Sequence, residues 1–215
     1  GSNKIQELDP IRMLGLPQPL QPAISQDDGV VGKPSFSPHG FWFLGDGEHF
    51  VTANTLAGQA SLYSINDTWS GSQGRSGVGR EVSQADTAGA LPLAASVFKL
   101  GNSGNLRYMA YTNNAGSDDI SMFSVDVTPG SKSINRVKIK APLGNAAGNL
   151  SLSNLSTKPV RWAHMPIQCA ISPADASAHG RYMVVCNKAS LNVSIIHLDI
   201  SGIPKAIYTF PAGLG

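Results

Sequence analysis

An all-β fold built from a repeated antiparallel unit is what this 215-residue sequence predicts, and three observations predict it. First, a short aromatic and β-branched phrase ending in Asn occurs three times. The copies are His49-Phe50-Val51-Thr52-Ala53-Asn54, Arg107-Tyr108-Met109-Ala110-Tyr111-Thr112-Asn113 and Arg181-Tyr182-Met183-Val184-Val185-Cys186-Asn187. Second, a few small or polar residues after each Asn, another run of strand character follows: Ser61 to Ile65, Ile120 to Asp126 and Val193 to Asp199. Third, 23 Gly and 14 Pro beside 14% charged and 41% hydrophobic residues describe a loop-rich folded chain, not a helical bundle or a disordered one. Recurrence over tens of residues marks a repeat architecture.

Taken in order, residues 1–33 form an N-terminal segment in which Ile11 to Leu14 has the character of an outer strand. Residues 34–66 form the first unit. Gly40 to Leu44 and Glu48 to Ala53 are its first two strands, joined by Gly45-Asp46-Gly47, whose glycines accept positive φ without a steric penalty. Gln59 to Ile65 is the third. Residues 91–128 form the second unit, with strands Arg107 to Thr112 and Ile120 to Val127, and Gly101 to Asn105 as its turn. Residues 161–215 hold the third unit and the start of another: Gln168 to Ser172, Arg181 to Cys186, Asn192 to Asp199 and, after Gly202-Ile203-Pro204, an outer strand at Lys205 to Phe210. A hairpin with one apolar face is not stable alone, whereas four short antiparallel strands per repeat make the blade of a β-propeller. Phe41, Phe43, Val51, Tyr108, Met183, Val185 and Ile196 are expected to be buried.

Two low-complexity stretches separate the units. Residues 67–90 are rich in Ser and Gly, and residues 129–160 contain an Asn- and Ser-rich run from Gly144 to Thr157. Both are expected to be inserted surface loops, because such sequences bury too little apolar surface to offset the entropy of ordering.

The phrases resemble the bacterial propellers named for a Tyr-Val-Thr-Asn repeat, which are similar to the d-type haem domains of nitrite reductases and to lactonase-like propellers. The resemblance is clearest between Pro166 and Asp199, where Gly180-Arg181-Tyr182-Met183-Val184-Val185-Cys186-Asn187 precedes Val193 to Asp199. It covers roughly half of the chain and implies a propeller in a bacterial periplasm or outside the cell. Units of this kind span about 40–50 residues. The expectation is therefore about three to four blades of a larger ring, completed by a protein partner or the remaining blades. A two-sheet sandwich is the alternative.

A net charge of +2, with no basic stripe among stacking aromatics, gives no footprint for nucleic acid. No run of 18 apolar residues is present, so no membrane span is expected. Catalytic motifs are missing: there is no Gly-x-Ser-x-Gly elbow, His-Glu-x-x-His, Cys-x-x-Cys-His or phosphate-cradling Gly loop. Among five histidines, the resemblance places His39 and His164 at the rim of the central channel. Converging imidazoles there would bind copper or a haem iron, and the alternative is a loop His bonded to backbone or water. Asp118-Asp119 reads as a solvated turn or a calcium site, and Asp46 as turn chemistry. Cys169 and Cys186 fall on neighbouring strands, as small buried hydrophobes or a bridge. Two functions follow: a non-catalytic extracytoplasmic module that binds a protein or ligand through its loops, or a redox propeller bearing copper or haem. Lactonase-type hydrolysis is a third.

Overall fold

The computed structural model describes residues 38–70, 76–100, 106–152, 163–172 and 181–212. Among the described residues it contains strands and no helix. Sheet 1 comprises β1 (Pro38–Phe43), β2 (His49–Asn54), β3 (Gln59–Ser70) and β4 (Ser76–Asp86). Sheet 2 comprises β5 (Pro92–Lys99), β6 (Arg107–Asn114), β7 (Asp119–Asp126) and β8 (Ser133–Val137), with the short β9 (Leu150–Ser151) also on β7. Sheet 3 comprises β10 (Pro166–Ile171), β11 (Arg181–Asn187), β12 (Asn192–Leu198) and β13 (Pro204–Pro211). Each is an antiparallel meander in chain order, and β5 packs beside both β1 and β10. The first strand of every sheet is thus its innermost one, the arrangement of propeller blades.

Two apolar layers join the sheets. Val51 and Leu62 of sheet 1 meet Val97, Ala110, Phe123 and Val125 of sheet 2. On the other side of sheet 2, Met109, Tyr111 and Met122 meet Met183, Val185, Ile196 and Leu198 of sheet 3. Fully burying side chains of this size stabilises the fold by about 1.5–3 kcal/mol each. β6 is consequently buried along nearly its whole length, whereas β11 alternates between buried and open positions.

The repeated Asn is a lock between strands. The amides of Asn54, Asn114 and Asn187 donate to the hydroxyls of Ser61, Ser121 and Ser194 at 2.7, 2.7 and 2.9 Å. Each of these asparagines also lies opposite the proline that opens its sheet, namely Pro38, Pro92 or Pro166. In the second copy the repeat therefore falls on Asn114 and not on Asn113, one residue later than the sequence phrase suggests. Both residues are Asn, and the side-chain period of two sends them to opposite faces. Four residues after each Asn stands a left-handed residue: Gly58 (φ +64), Asp118 (φ +55) and Leu191 (φ +49). Its carbonyl accepts a backbone bond from the chain returning from the outer strand, through the N–H of Thr87, Leu152 and Ala212 respectively.

Several expectations are corrected. Phe41 and Phe43 are 62% and 52% exposed, because they share the outer face of β1, whereas Val51, Tyr108, Met183, Val185 and Ile196 are buried. The Ser/Gly-rich stretch at 67–90 is not a loop throughout, since it carries β4 as the outer strand of sheet 1, paired along β3. The outer strand of sheet 2, β8, falls within residues 129–160. From the Asn/Ser-rich run, Asn149, Leu150 and Leu152 are buried, and β9 resumes the outer strand after an excursion. Cys169 lies opposite Val185, and Cys186 opposite Gln168. The two thiols are free, one buried and one exposed, on opposite faces of sheet 3. The strand expected at Ile11 to Leu14 and the turn expected at Gly101 to Asn105 lie outside the described residues. Among the described residues no helix is long and apolar enough to cross a membrane.

Candidate functional site

Because β1, β5 and β10 begin where β2, β6 and β11 end, the proline-led connectors and the Asn turns all gather at one end of the sheets. His39, His164 and Asp118 lie at this end. His39 is exposed, and its Nδ1 donates to the carbonyl of Leu93 at 2.9 Å, which ties β1 to β5. His164 precedes β10, and its Nδ1 donates to Asp118 Oδ2 at 2.6 Å. The other carboxylate oxygen of Asp118 accepts from the backbone N–H of Met165 at 2.7 Å, while the His164 N–H donates to Ser190 Oγ at 2.9 Å. One aspartate of sheet 2 thus grips the connector into sheet 3. The pair remains open to solvent, with the His164 side chain 40% exposed.

Asp118 occupies the left-handed turn position, where Asp is better tolerated than most residues. That placement aims its carboxylate across to the next blade. Asp119 goes the other way. It is buried and accepts amide hydrogens from Asn114, Asn145 and Asn149 at 2.6, 2.8 and 3.1 Å. Burial raises its pKa, although these amides pull the opposite way. The aspartate pair read as a solvated turn or calcium site is therefore engaged by protein donors on both members. Asp46 is turn chemistry, as expected: it accepts the Glu48 and His49 N–H groups at 2.9 Å and the His49 ring at 2.8 Å.

Backbone strain collects at the same end. Ala88, Leu91, Asp118, Met165 and Leu191 all adopt positive φ, and such residues persist where surrounding structure holds them. Leu56, Leu91, Met165 and Leu191 are also largely exposed there. His39 and His164 stand out in the sequence, whereas the Asp118 partnership of His164 does not. Its signal was an Asp four residues after the structural Asn, concealed by the one-residue shift. His39 bonds Leu93 and His164 bonds Asp118, and among the described residues no group of three His, Cys, Asp or Glu is placed to hold a metal ion. A separate cavity of about 340 Å³, mostly apolar, opens between Val137, Ile139 and Leu143 of the excursion and Ile203-Pro204 of sheet 3.

No family model matches the chain, and no curated protein matches it significantly. Solved structures do. A protein from Lactobacillus plantarum aligns over 86% of this chain and 46% of its own, with 18% identity and a TM-score of 0.53. Putative 6-phosphogluconolactonases from Bacteroides fragilis and Bacteroides uniformis align over 84% and 83% of this chain, with 16% and 13% identity and TM-scores of 0.51. This chain spans less than half of each of these proteins. With three antiparallel sheets arranged as blades and these neighbours, the fold is that of a β-propeller.

Proposed function

We propose that the chain forms part of a lactonase-type propeller and acts in the hydrolysis of a sugar lactone at the end where the innermost strands begin. The observation that carries this reading is the exposed His164–Asp118 pair. A carboxylate on Nδ1 fixes the imidazole tautomer and stabilises the imidazolium, which suits Nε2 to act as a general base. In that role Nε2 takes a proton from water as the water oxygen bonds to the lactone carbonyl carbon. The ring C–O bond then breaks, and the ring oxygen recovers the proton as a hydroxyl. The likeness to putative 6-phosphogluconolactonases supports the substrate class.

Proton release from glucono-δ-lactone and its 6-phosphate, above the spontaneous rate, tests the proposal. His164→Gln is expected to lower the rate by about 10²-fold or more, the usual contribution of a positioned base. A wild-type chain without activity, or a His164→Gln chain with full activity, overturns it. The binding-module reading is favoured by a different observation, the exposed Leu56, Leu91 and Leu191 at the same end. The copper or haem-iron reading rests on His39 and His164 sharing that end, and metal analysis of the purified protein tests it.

A further inference from the structure

The outer strand of sheet 2 is interrupted where those of sheets 1 and 3 run on. It stops pairing with β7 at Val137 and resumes at Leu150, whereas β4 and β13 are continuous strands of 11 and 8 residues. The excursion between these points raises a wall. Its Ile139 and Leu143, with Val137, line the cavity of about 340 Å³ against Ile203 and Pro204 of sheet 3, and all but Pro204 rest partly buried on the core between the two sheets. Both walls are fixed. On one side the Ile139 N–H donates to the Gly148 carbonyl at 2.8 Å and the Gly144 N–H to the Lys140 carbonyl at 2.9 Å. On the other the Ile203 N–H donates to Asp199 at 2.9 Å, and the neighbouring Gly202 carbonyl accepts the Tyr111 hydroxyl at 2.6 Å. Among the described lining residues the polar side chains are two, Lys138 and Lys140. Lys132 and Lys205 pair with Asp67 and Asp199, but among the described residues neither Lys138 nor Lys140 has a carboxylate partner. The Lys138 stem lies against Gly148, where an added Cβ would stand 3.1 Å from it.

We infer that this cavity binds a small amphipathic carboxylate, an acid with a short hydrocarbon tail, whose tail lies between the two walls and whose head meets the ammonium groups of Lys138 and Lys140. Three considerations favour that occupant. The volume stands at the small end of the range for ligand pockets, about 300–1,000 Å³, and the lining is apolar in the manner of such sites. The charge that the lining carries is positive, so an anionic head is attracted where an ammonium head would be repelled. A sugar is disfavoured, because the N–H groups of Ile139 and Ile203 are already bonded, Pro142 and Pro204 have none, and hydroxyls left without partners in an apolar site are costly. Walls held by their own hydrogen bonds need little ordering when the ligand enters. The site shares no residue with the His164–Asp118 pair, and the inference does not depend on the lactonase reading.

Titration of the full chain with octanoate at pH 7, followed residue by residue through its amide nuclear magnetic resonances, tests the inference. The amides of Ile139, Leu143 and Ile203 are expected to shift saturably, with a Kd of about 1 mM or tighter for a ligand of this size. 1-Octanol, with the same tail and no charge, should bind at least about fivefold more weakly, and the double variant Lys138→Gln, Lys140→Gln should weaken octanoate by a similar factor and leave octanol unaffected. Both lysines are exposed, so the variant should keep the melting temperature of the parent. Ala141→Trp, which places an indole at the exposed edge of the lining, should abolish the shifts of both ligands. Absence of saturable shifts at these amides up to about tenfold above the expected Kd overturns the inference. So does equal binding of octanol and octanoate, or octanoate binding that survives the double substitution, because either result removes the carboxylate from recognition.

Discussion

Exchanging Asn114 for Ala removes the lock of sheet 2. The amide of Asn114 bonds Ser121 Oγ at 2.7 Å and Asp119 Oδ1 at 2.6 Å, all within the core. A neutral hydrogen bond contributes about 1 kcal/mol and one to a charged group about 1.5–3, so Asn114→Ala is expected to destabilise by about 2–4 kcal/mol. Ser121 keeps its bond to the Thr87 carbonyl, and Asp119 keeps those from Asn145 and Asn149, so the loss stops short of total unfolding. For a chain of this size the melting temperature should fall by roughly 4–16 °C. Asn113→Ala is the matched comparison. The Asn113 amide atoms, equally buried, make no hydrogen bond of normal geometry, so its removal should lower stability by less than about 1 kcal/mol. Thermal unfolding followed by far-ultraviolet circular dichroism measures both. If Asn113→Ala costs more than Asn114→Ala, the assignment of Asn114 as the repeat residue is wrong.

Gly202 sits at φ +80, and a Cβ there would lie 2.6–2.8 Å from Phe98, the Tyr111 hydroxyl and Met109. Gly202→Ala should therefore destabilise by about 1–3 kcal/mol or more, measured by urea unfolding. Tyr111→Phe should lose about 1 kcal/mol, because the buried hydroxyl donates to the Gly202 carbonyl at 2.6 Å. For Asp119 the folded pKa is raised, so its contribution is complete below the ordinary carboxyl value of 3.8 and is lost as pH rises through the folded value. Asp119→Asn should remove that loss and flatten the stability profile above pH 4, and an unchanged slope refutes the assignment. Asp46 runs the other way: burial pushes its pKa up, but the bonds from Glu48, His49 and the His49 ring outweigh it and hold it low. Its stabilisation is present above pH 3.8 and disappears in acid, so Asp46→Ala should shrink the acid-side loss of stability.

The blade cores were legible because β2, β6 and β11 carry aromatic and aliphatic runs that end in Asn, and the prolines and the Gly45–Gly47 turn punctuate them. β4 was not legible. Its Ser76 to Asp86 run lacks the apolar alternation of a strand, since an outer strand is ordered by backbone pairing with β3 and needs little apolar surface of its own. Phe41 and Phe43 misled for the converse reason. Aromatic residues signal a strand but not which side of it is covered. At the rim, single histidines could be noticed, but their partners lie 46 and 54 residues away, a separation that no local pattern encodes.

The returning bond from Thr87, Leu152 and Ala212 to the turn carbonyl has a consequence for how this chain can vary. In sheet 2 the outermost strand is broken, departs after Val137 and resumes at Leu150, yet Leu152 closes on Asp118 just as Thr87 closes on Gly58. The handover to the next blade is thus insulated from the length of the path taken to reach it. The outer edge is a socket for new segments: one can be spliced between Lys138 and Asn149 without resetting the spacing of the inner strands.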